Sequence, residues 1–255
     1  MAVTASMYLI VLPLCFVAAL IDAIGGGGGL ISLPGYMVAG LPTALASGSN
    51  KLSASFGTLI AAIKFLRSKK VLLMPALVAV AGAIPGAYFG AELLSRTPEH
   101  IMRLVILGMI PVMALILILK RNAPERETPA LTKGKYALCF LTGLLVGLYD
   151  GFCGPGTGTL LIMGFTWIVG MDTVTASGSA KIVNLSSNIS ALVSHAINGN
   201  ILFALAVPAM LCAATGGYIG SALAIKKGAK FVRVVMMCMM AALIVKLAVD
   251  YWSQL

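Results

Sequence analysis

Residues 21–35 read IDAIGGGGGLISLPG, with five consecutive glycines, Asp22 three residues ahead of them, and apolar sequence on both sides. Each glycine costs roughly 1 kcal/mol relative to alanine inside a helix. The run also leaves backbone amides unpaired, and in hydrocarbon each such group costs several kcal/mol. Broken backbone at membrane depth is tolerated only where protein covers it or where it lines a water-filled cavity. A lone glycine pair would point to close helix packing. Five in a row predict an unwound turn whose free N–H groups, with the positive end of the following half-helix, face a small anion. Glycine lets that ligand approach the backbone directly.

The rest of the chain supplies the membrane. Of its 255 residues 60% are hydrophobic and 10% charged, against about 25% charged in an ordinary soluble domain. Mean hydropathy is +1.01. The apolar runs have helical length and lack the alternation of a β-barrel, so the expected class is an all-α integral membrane protein. The start, MAVTASMYLIVLPLCFVAALIDA, has no basic leader and reads as mature sequence. The five cysteines lie scattered in apolar segments without a CxxC or a histidine cluster, and read as small buried residues. The net charge of +10 comes from basic residues at the ends of apolar runs, so it reflects topology and anionic lipid; no nucleic acid partner is expected.

The glycine turn has a twin. ASGSNK (46–51) recurs as ASGSAK (176–181), GAYFG (86–90) as GGYIG (216–220), and Arg103 as Arg233, all at an offset of 130. Upstream, LIDAIGGGGG pairs with LYDGFCGPGTG, which sets Asp22 against Asp150 with two residues inserted. Such matches in register indicate duplication. The polar stretch KRNAPERETPALTKGK (120–135) divides the copies, giving an N-terminal repeat (1–122), a cytoplasmic linker (123–135) and a C-terminal repeat (136–255). KFLRSKK (64–70) carries four basic residues and its counterpart SHAINGN (194–200) no Lys or Arg; the next loop reverses this, with SRTPEH (95–100) nearly neutral and KKGAKFVR (226–233) strongly basic. The positive-inside rule then puts equivalent loops on opposite sides, so the repeats are expected to be inverted, a common transporter design. Each repeat should hold a glycine-broken hairpin, over about 7–40 and 136–171, plus three transmembrane helices at about 44–66, 71–94 and 101–120, then 174–196, 201–225 and 231–250. Whether each hairpin is two short crossings or re-entrant stays open, giving 8–10 membrane segments.

The lysines carry the chemistry. Lys51 and Lys181 lie seven or eight residues into their helices, where an isolated lysine costs about 2.5–3.5 kcal/mol at the bilayer centre. Ser47 and Lys51, like Ser177 and Lys181, share a helix face at a spacing of four. The candidate substrate-binding residues are therefore Asp22, Gly26, Gly27, Gly28, Ser47, Ser49, Asn50 and Lys51 in the first copy. In the second they are Asp150, Gly154, Gly156, Thr157, Ser177, Ser179, Lys181 and Asn184, with the polar face continuing to Asn188. A hydroxyl, an ammonium and amides converging on one spot suit a sulfur oxoacid or a carboxylate. The competing reading pairs Lys51 with Asp22 and Lys181 with Asp150, which is compatible with function. Proton coupling through Asp22 or Asp150 and a homodimer stay open. His195 reads as a boundary residue, His100 has no evident role, Lys246 snorkels, and Arg103 and Arg233 anchor helix ends. The methionines of VVMMCMM (234–240) read as lipid-facing or packing residues. No catalytic residue, cofactor or metal site is expected, and the glycines lack the GK[ST] ending of a P-loop.

DAIGGGGGLISLPGYMVAGLPTALASGSNK (22–51) and GLYDGFCGPGTGTLL (147–161) resemble the sulfite exporter TauE/SafE family, over nearly the whole chain. Where members commonly carry Thr-Asn-Lys, this sequence has Ser49-Asn50-Lys51. The resemblance implies a bacterial inner-membrane, multi-pass transporter that exports sulfite, sulfoacetate or a related organosulfur anion. Together with the repeats it gives the expectation of a secondary carrier working by alternating access. The alternatives are an anion channel with the same lining and a carrier for a non-sulfur carboxylate. An intramembrane enzyme would need a metal cluster or an activated nucleophile, and the sequence shows neither.

Overall fold

The structure, a computed structural model, describes residues 3–102, 104–105, 108 and 132–252. Arg103, most of the expected span at 101–120, most of the linker at 123–135, and the side chains of Arg233, Lys246 and Met236–Met240 lie outside the described residues. All described elements are helical, which satisfies backbone polar groups within their own segment, as one of the two ways to span a bilayer demands. They are α1 (Ala5–Gly25), α2 (Gly29–Val38), α3 (Thr43–Arg67), α4 (Leu73–Arg96), α5 (Lys133–Phe152), α6 (Thr157–Met163), α7 (Thr173–Ile197) and α8 (Phe203–Trp252). A π-helical turn, Gly164–Val169, extends α6, and α8 breaks at Gly228, where φ is 74°.

Among the described residues three helices are long and apolar enough to cross a bilayer: Ala5–Gly25, Leu73–Arg96 and Phe203–Gly228. The 25-residue α3 and α7 also have the length, about 37 Å at 1.5 Å per residue, but carry the Ser, Asn and Lys residues of the repeat motif. The polarity is hidden by position. Along α3, Ser47, Ser49, Asn50 and Lys51 are buried, and so are Ser177, Ser179, Lys181 and Asn184 along α7. The apolar helices are on the outside, with large side chains such as Leu9, Phe89, Leu145 and Leu211 exposed to the surroundings.

Each glycine hairpin has one long arm and one short arm. Helix α1, with 21 residues, reaches about 31 Å, whereas α2, with 10, reaches only about 15 Å. On the other side α5 has 20 residues, and α6 with its π turn has 13. The turns between arms are made by residues that only glycine occupies without strain: Gly26 and Gly27 at φ 79° and 88°, Gly154 and Gly156 at φ 82° and 84°.

Packing follows small residues. Gly82, Gly86 and Gly90 of α4 lie against the backbone of α5, and Gly143, Gly147 and Gly151 of α5 return the contact along Ala79, Ala83 and Ala87. A side chain at any of these six would collide with opposing backbone. Helices in lipid associate through such close backbone approach. The order of contacts shows α4 and α5 running in the same direction. Helix α8 lies along α1 in the same way, from the Tyr8 hydroxyl donating to the Ala204 carbonyl (3.0 Å) to Gly220 beside Leu20.

Helices α3 and α7 cross antiparallel at the centre, and contacts there recur at the offset of 130 with the halves exchanged. Ser49 Oγ accepts from Leu202 N (2.9 Å), and Ser179 Oγ from Leu72 N (3.0 Å). Gly48 abuts the Asn200 carbonyl, and Gly178 abuts that of Lys70. The helix ends match too, with Lys70 N donating to Phe65 O (3.1 Å) and Asn200 N to His195 O (2.8 Å).

Candidate functional site

The two hairpin turns meet at the α3–α7 crossing. Gly26 packs on Gly158 and Thr159, so tightly that a Cβ there would overlap their backbone, and Gly29 faces Gly154 and Pro155. Beside them is a cavity holding about 560 Å³ of empty space, solvent at its mouth included. One face of α3 lines it through Asn50, Lys51, Ala54, Gly57 and Thr58, and α7 contributes Asn184 and Asn188, one turn apart. The turns contribute Gly27, Gly28, Gly154, Gly156 and Thr157, and the long arms Asp22 and Asp150.

Two buried ion pairs hold this arrangement. Lys51 Nζ lies 2.7 Å from Asp150 Oδ1 and donates to Asn188 Oδ1 at 3.0 Å. Lys181 Nζ lies 2.8 Å from Asp22 Oδ2 and also donates to the Asp22 carbonyl. The competing reading, a pairing within each repeat, is therefore wrong: each lysine reaches the aspartate of the other half.

The pairs are not equivalent. Lys51 and Asp150 line the cavity with side chains 4% and 2% exposed. Lys181 is 0% exposed and does not line it, while Asp22, at 17%, does. Lys181 instead sits at the C-terminal end of α1, where a cation meets the negative end of the helix and ties down the last turn before the glycines. Among the described residues, Lys51 is the one cation of the lining.

The carboxylates are furnished differently. Asp150 Oδ1 accepts from the Thr157 hydroxyl and Oδ2 from the Ser187 hydroxyl, each at 2.7 Å. Asp22 Oδ1 accepts the Gly28 amide at 3.3 Å. Among the described residues, the buried acceptor Asn50 Oδ1 has no hydrogen-bond partner.

Of the residues expected from sequence, Asp22, Gly27, Gly28, Asn50, Lys51, Asp150, Gly154, Gly156, Thr157 and Asn184 come together around the cavity. Gly26, Ser47, Ser49, Ser177, Ser179 and Lys181 do not line it. Gly26 packs one turn on the other, Ser49 and Ser179 hold loop amides, and Ser177 donates to the Ile24 carbonyl at 3.4 Å. Ser47 Oγ sits 3.3 Å from His195 Nε2. His195 itself is fully buried, because α7 ends against the start of α3. Cys15, Ser32, Ser53 and Ser187 were missed: the first three line the cavity and Ser187 holds Asp150. Ser187 was within reach of the sequence, three residues beyond Asn184 on the face already drawn. Among the described residues no group of three or more His, Cys, Asp or Glu side chains is placed to hold a metal ion.

Comparison with known proteins fits this picture. The profile of the sulfite exporter TauE/SafE family matches residues 11–247. The chain is 32% identical over 239 residues to "Probable membrane transporter protein YfcA" of Escherichia coli (strain K12), covering 93% of this chain and 88% of that one. It is 30% identical over 236 residues to "Probable membrane transporter protein ORF9" of Sinorhizobium sp, covering 92% and 90%. A "Probable membrane transporter protein" of Haemophilus influenzae is 30% identical over 240 residues, covering 92% of both. No solved structure matches the chain. The chain belongs to the sulfite exporter TauE/SafE family, and with its long apolar helices it is a multi-pass membrane protein.

Proposed function

We propose that this member of the TauE/SafE family is a secondary membrane transporter that exports a small anion, sulfite or an organosulfonate, across the bacterial inner membrane. The observation that carries the reading is the cavity itself. One ammonium, Lys51, faces a space lined by glycine backbone, by the Thr58 hydroxyl and by the amides of Asn50, Asn184 and Asn188, beside the carboxylates of Asp22 and Asp150. Such a lining offers an oxyanion a cation and several neutral donors without large side chains in the way. Glycine turns at the N-terminus of α2 add the positive end of a helix dipole. The comparisons support transport as the broad activity, and the sulfur oxoacid follows from the family's description together with the small polar lining.

The carrier mechanism we propose is alternating access between two inverted repeats, 1–122 and 136–255, joined by the cytoplasmic linker 123–135. Support comes from the exchanged contacts: the Ser49–Leu202 and Ser179–Leu72 bonds each link one half to the other and are related by the offset of 130, and the two Lys–Asp pairs are exchanged in the same way. Rocking one copy against the other would break these ties in pairs, opening the cavity to one side and then the other.

The test is ligand-induced stabilisation of the purified protein by sulfite, thiosulfate, sulfoacetate, taurine and simple carboxylates. A bound anion at a hundred times its Kd adds about 2.7 kcal/mol of stability. A thermal shift with sulfite or a sulfonate that disappears in Lys51→Ala is expected. A shift with none of the sulfur anions sinks the substrate assignment, and an undiminished shift in Lys51→Ala sinks the site.

A further inference from the structure

The charges around the cavity cancel. Lys51 and Lys181 are each matched by one carboxylate, Asp150 and Asp22. An anion added to this set is one negative charge too many, in surroundings where an uncompensated charge is costly. Resting on the anion-carrier reading above, we infer that Asp150 is a proton-binding site and that each monoanion held by Lys51 travels with one proton, so that transport moves no net charge.

The geometry separates Asp150 from Asp22. A hydroxyl has one hydrogen, and both hydroxyls on Asp150 stand between two acceptors. Thr157 Oγ1 lies 2.7 Å from Asp150 Oδ1 and 2.8 Å from the Gly154 carbonyl. Ser187 Oγ lies 2.7 Å from Asp150 Oδ2 and 3.1 Å from the Asn184 carbonyl. When Asp150 is ionised, both hydroxyls donate to it. When it carries a proton, either one turns its hydrogen to the backbone carbonyl and accepts the acid O–H with its own lone pair. Either protonation state is thus fully hydrogen-bonded. Asp22 has no such arrangement: Gly28 N–H and the Lys181 ammonium only donate, so a proton on Asp22 would cost it a bond.

The consequences meet at Lys51. With Asp150 ionised, the ammonium is neutralised by its partner at 2.7 Å. With Asp150 protonated, the Lys51 charge is free for the anion, and anion and proton each improve the other's binding. The groups facing Asp150 are Lys51 from α3, Tyr149 and Cys153 on its own arm, and Thr157 and Ser187. Helix α4 packs its last turns beside the Asp150 turn, where its Glu92 pairs with Arg96 and accepts from Ser194 and Asn198, and on α7 Lys181 is held by Asp22 while His195 lies at the end of the helix.

The experiment uses the full chain in proteoliposomes and methanesulfonate, a monoanion at every working pH. Its equilibrium accumulation is expected to change tenfold per unit of pH gradient, with the lumen acidifying as it enters. Imposing 59 mV with valinomycin and potassium should leave the ratio unchanged, whereas a carrier of the bare anion would shift it tenfold. Accumulation that follows voltage while methanesulfonate is still transported overturns the proton coupling and leaves the carrier reading intact. No flux at all from wild-type vesicles overturns both. In a binding assay, Asp150→Asn, a mimic of the protonated acid, should bind methanesulfonate with an affinity independent of pH, while the wild type weakens up to tenfold per pH unit as the medium becomes alkaline. Matching pH dependence in the two proteins overturns the assignment to Asp150.

Discussion

At the scale of single residues, two lysines alike in sequence have different work. Lys51 faces the cavity, whereas Lys181 is sealed behind it and ties α1. Lys51→Met is expected to abolish sulfite-induced stabilisation and to cost about 3–5 kcal/mol by stranding Asp150 in the interior. The double variant Lys51→Met, Asp150→Asn should recover most of that stability without recovering the anion. Lys181→Met paired with Asp22→Asn should instead keep a measurable sulfite response; equal loss in both doubles would show that the two sites are equivalent. Ser49 and Ser179 provide a second contrast. Both belong to the repeated motif, yet each accepts a loop amide from the other half. Ser49→Ala and Ser179→Ala should each lower stability by about 1 kcal/mol in thermal unfolding, with sulfite affinity retained. The motif announced which residues were special, because a buried Lys or Ser in an apolar helix needs a reason. Its periodicity could not assign the roles, because the partner of each side chain lies about a hundred residues or more away in sequence.

At the scale of elements, backbone contact decides what can change. The α4–α5 pair is built on glycines at spacings of four, and Gly86 lies against the Leu144 carbonyl. Gly86→Val should push the helices apart and destabilise the protein by at least the 1–3 kcal/mol typical of overpacking, seen as a lower unfolding temperature in detergent. Gly134, near the exposed start of α5, has no close neighbour. There Gly134→Ala should raise stability by up to about 1 kcal/mol through helix propensity alone. A similar response at both positions would contradict the packing. The glycine runs at 25–29 and 154–158 were legible as broken helices, since so many closely spaced glycines cost a helix more than close packing needs. The unequal arms were not: α2 stops at Val38 because Gly40 and Pro42 turn the chain into α3, a tertiary choice that hydropathy does not record.

At the scale of the whole molecule, the decisive quantity is direction. Helices α1, α3 and α8 run one way and α4, α5 and α7 the other, as their ordered contacts require. A duplication is the reading of four matched segments, and the loop charges suggest opposite orientation, but neither shows that the halves interlock. That appears only where Leu72 meets Ser179 and Leu202 meets Ser49. In a background whose five native cysteines are replaced, a single cysteine at Ser68 should react with an impermeant maleimide only from the cytoplasmic side of inverted vesicles. One at Asn198, the equivalent position 130 residues on, should react only in intact cells or right-side-out vesicles. Loops at the two ends of antiparallel helices cannot share a side of the bilayer if α3 and α7 both cross it. Labelling of both from one side would therefore mean that one central helix does not span, and the crossing of α3 and α7 that forms the cavity would lie outside the membrane's core.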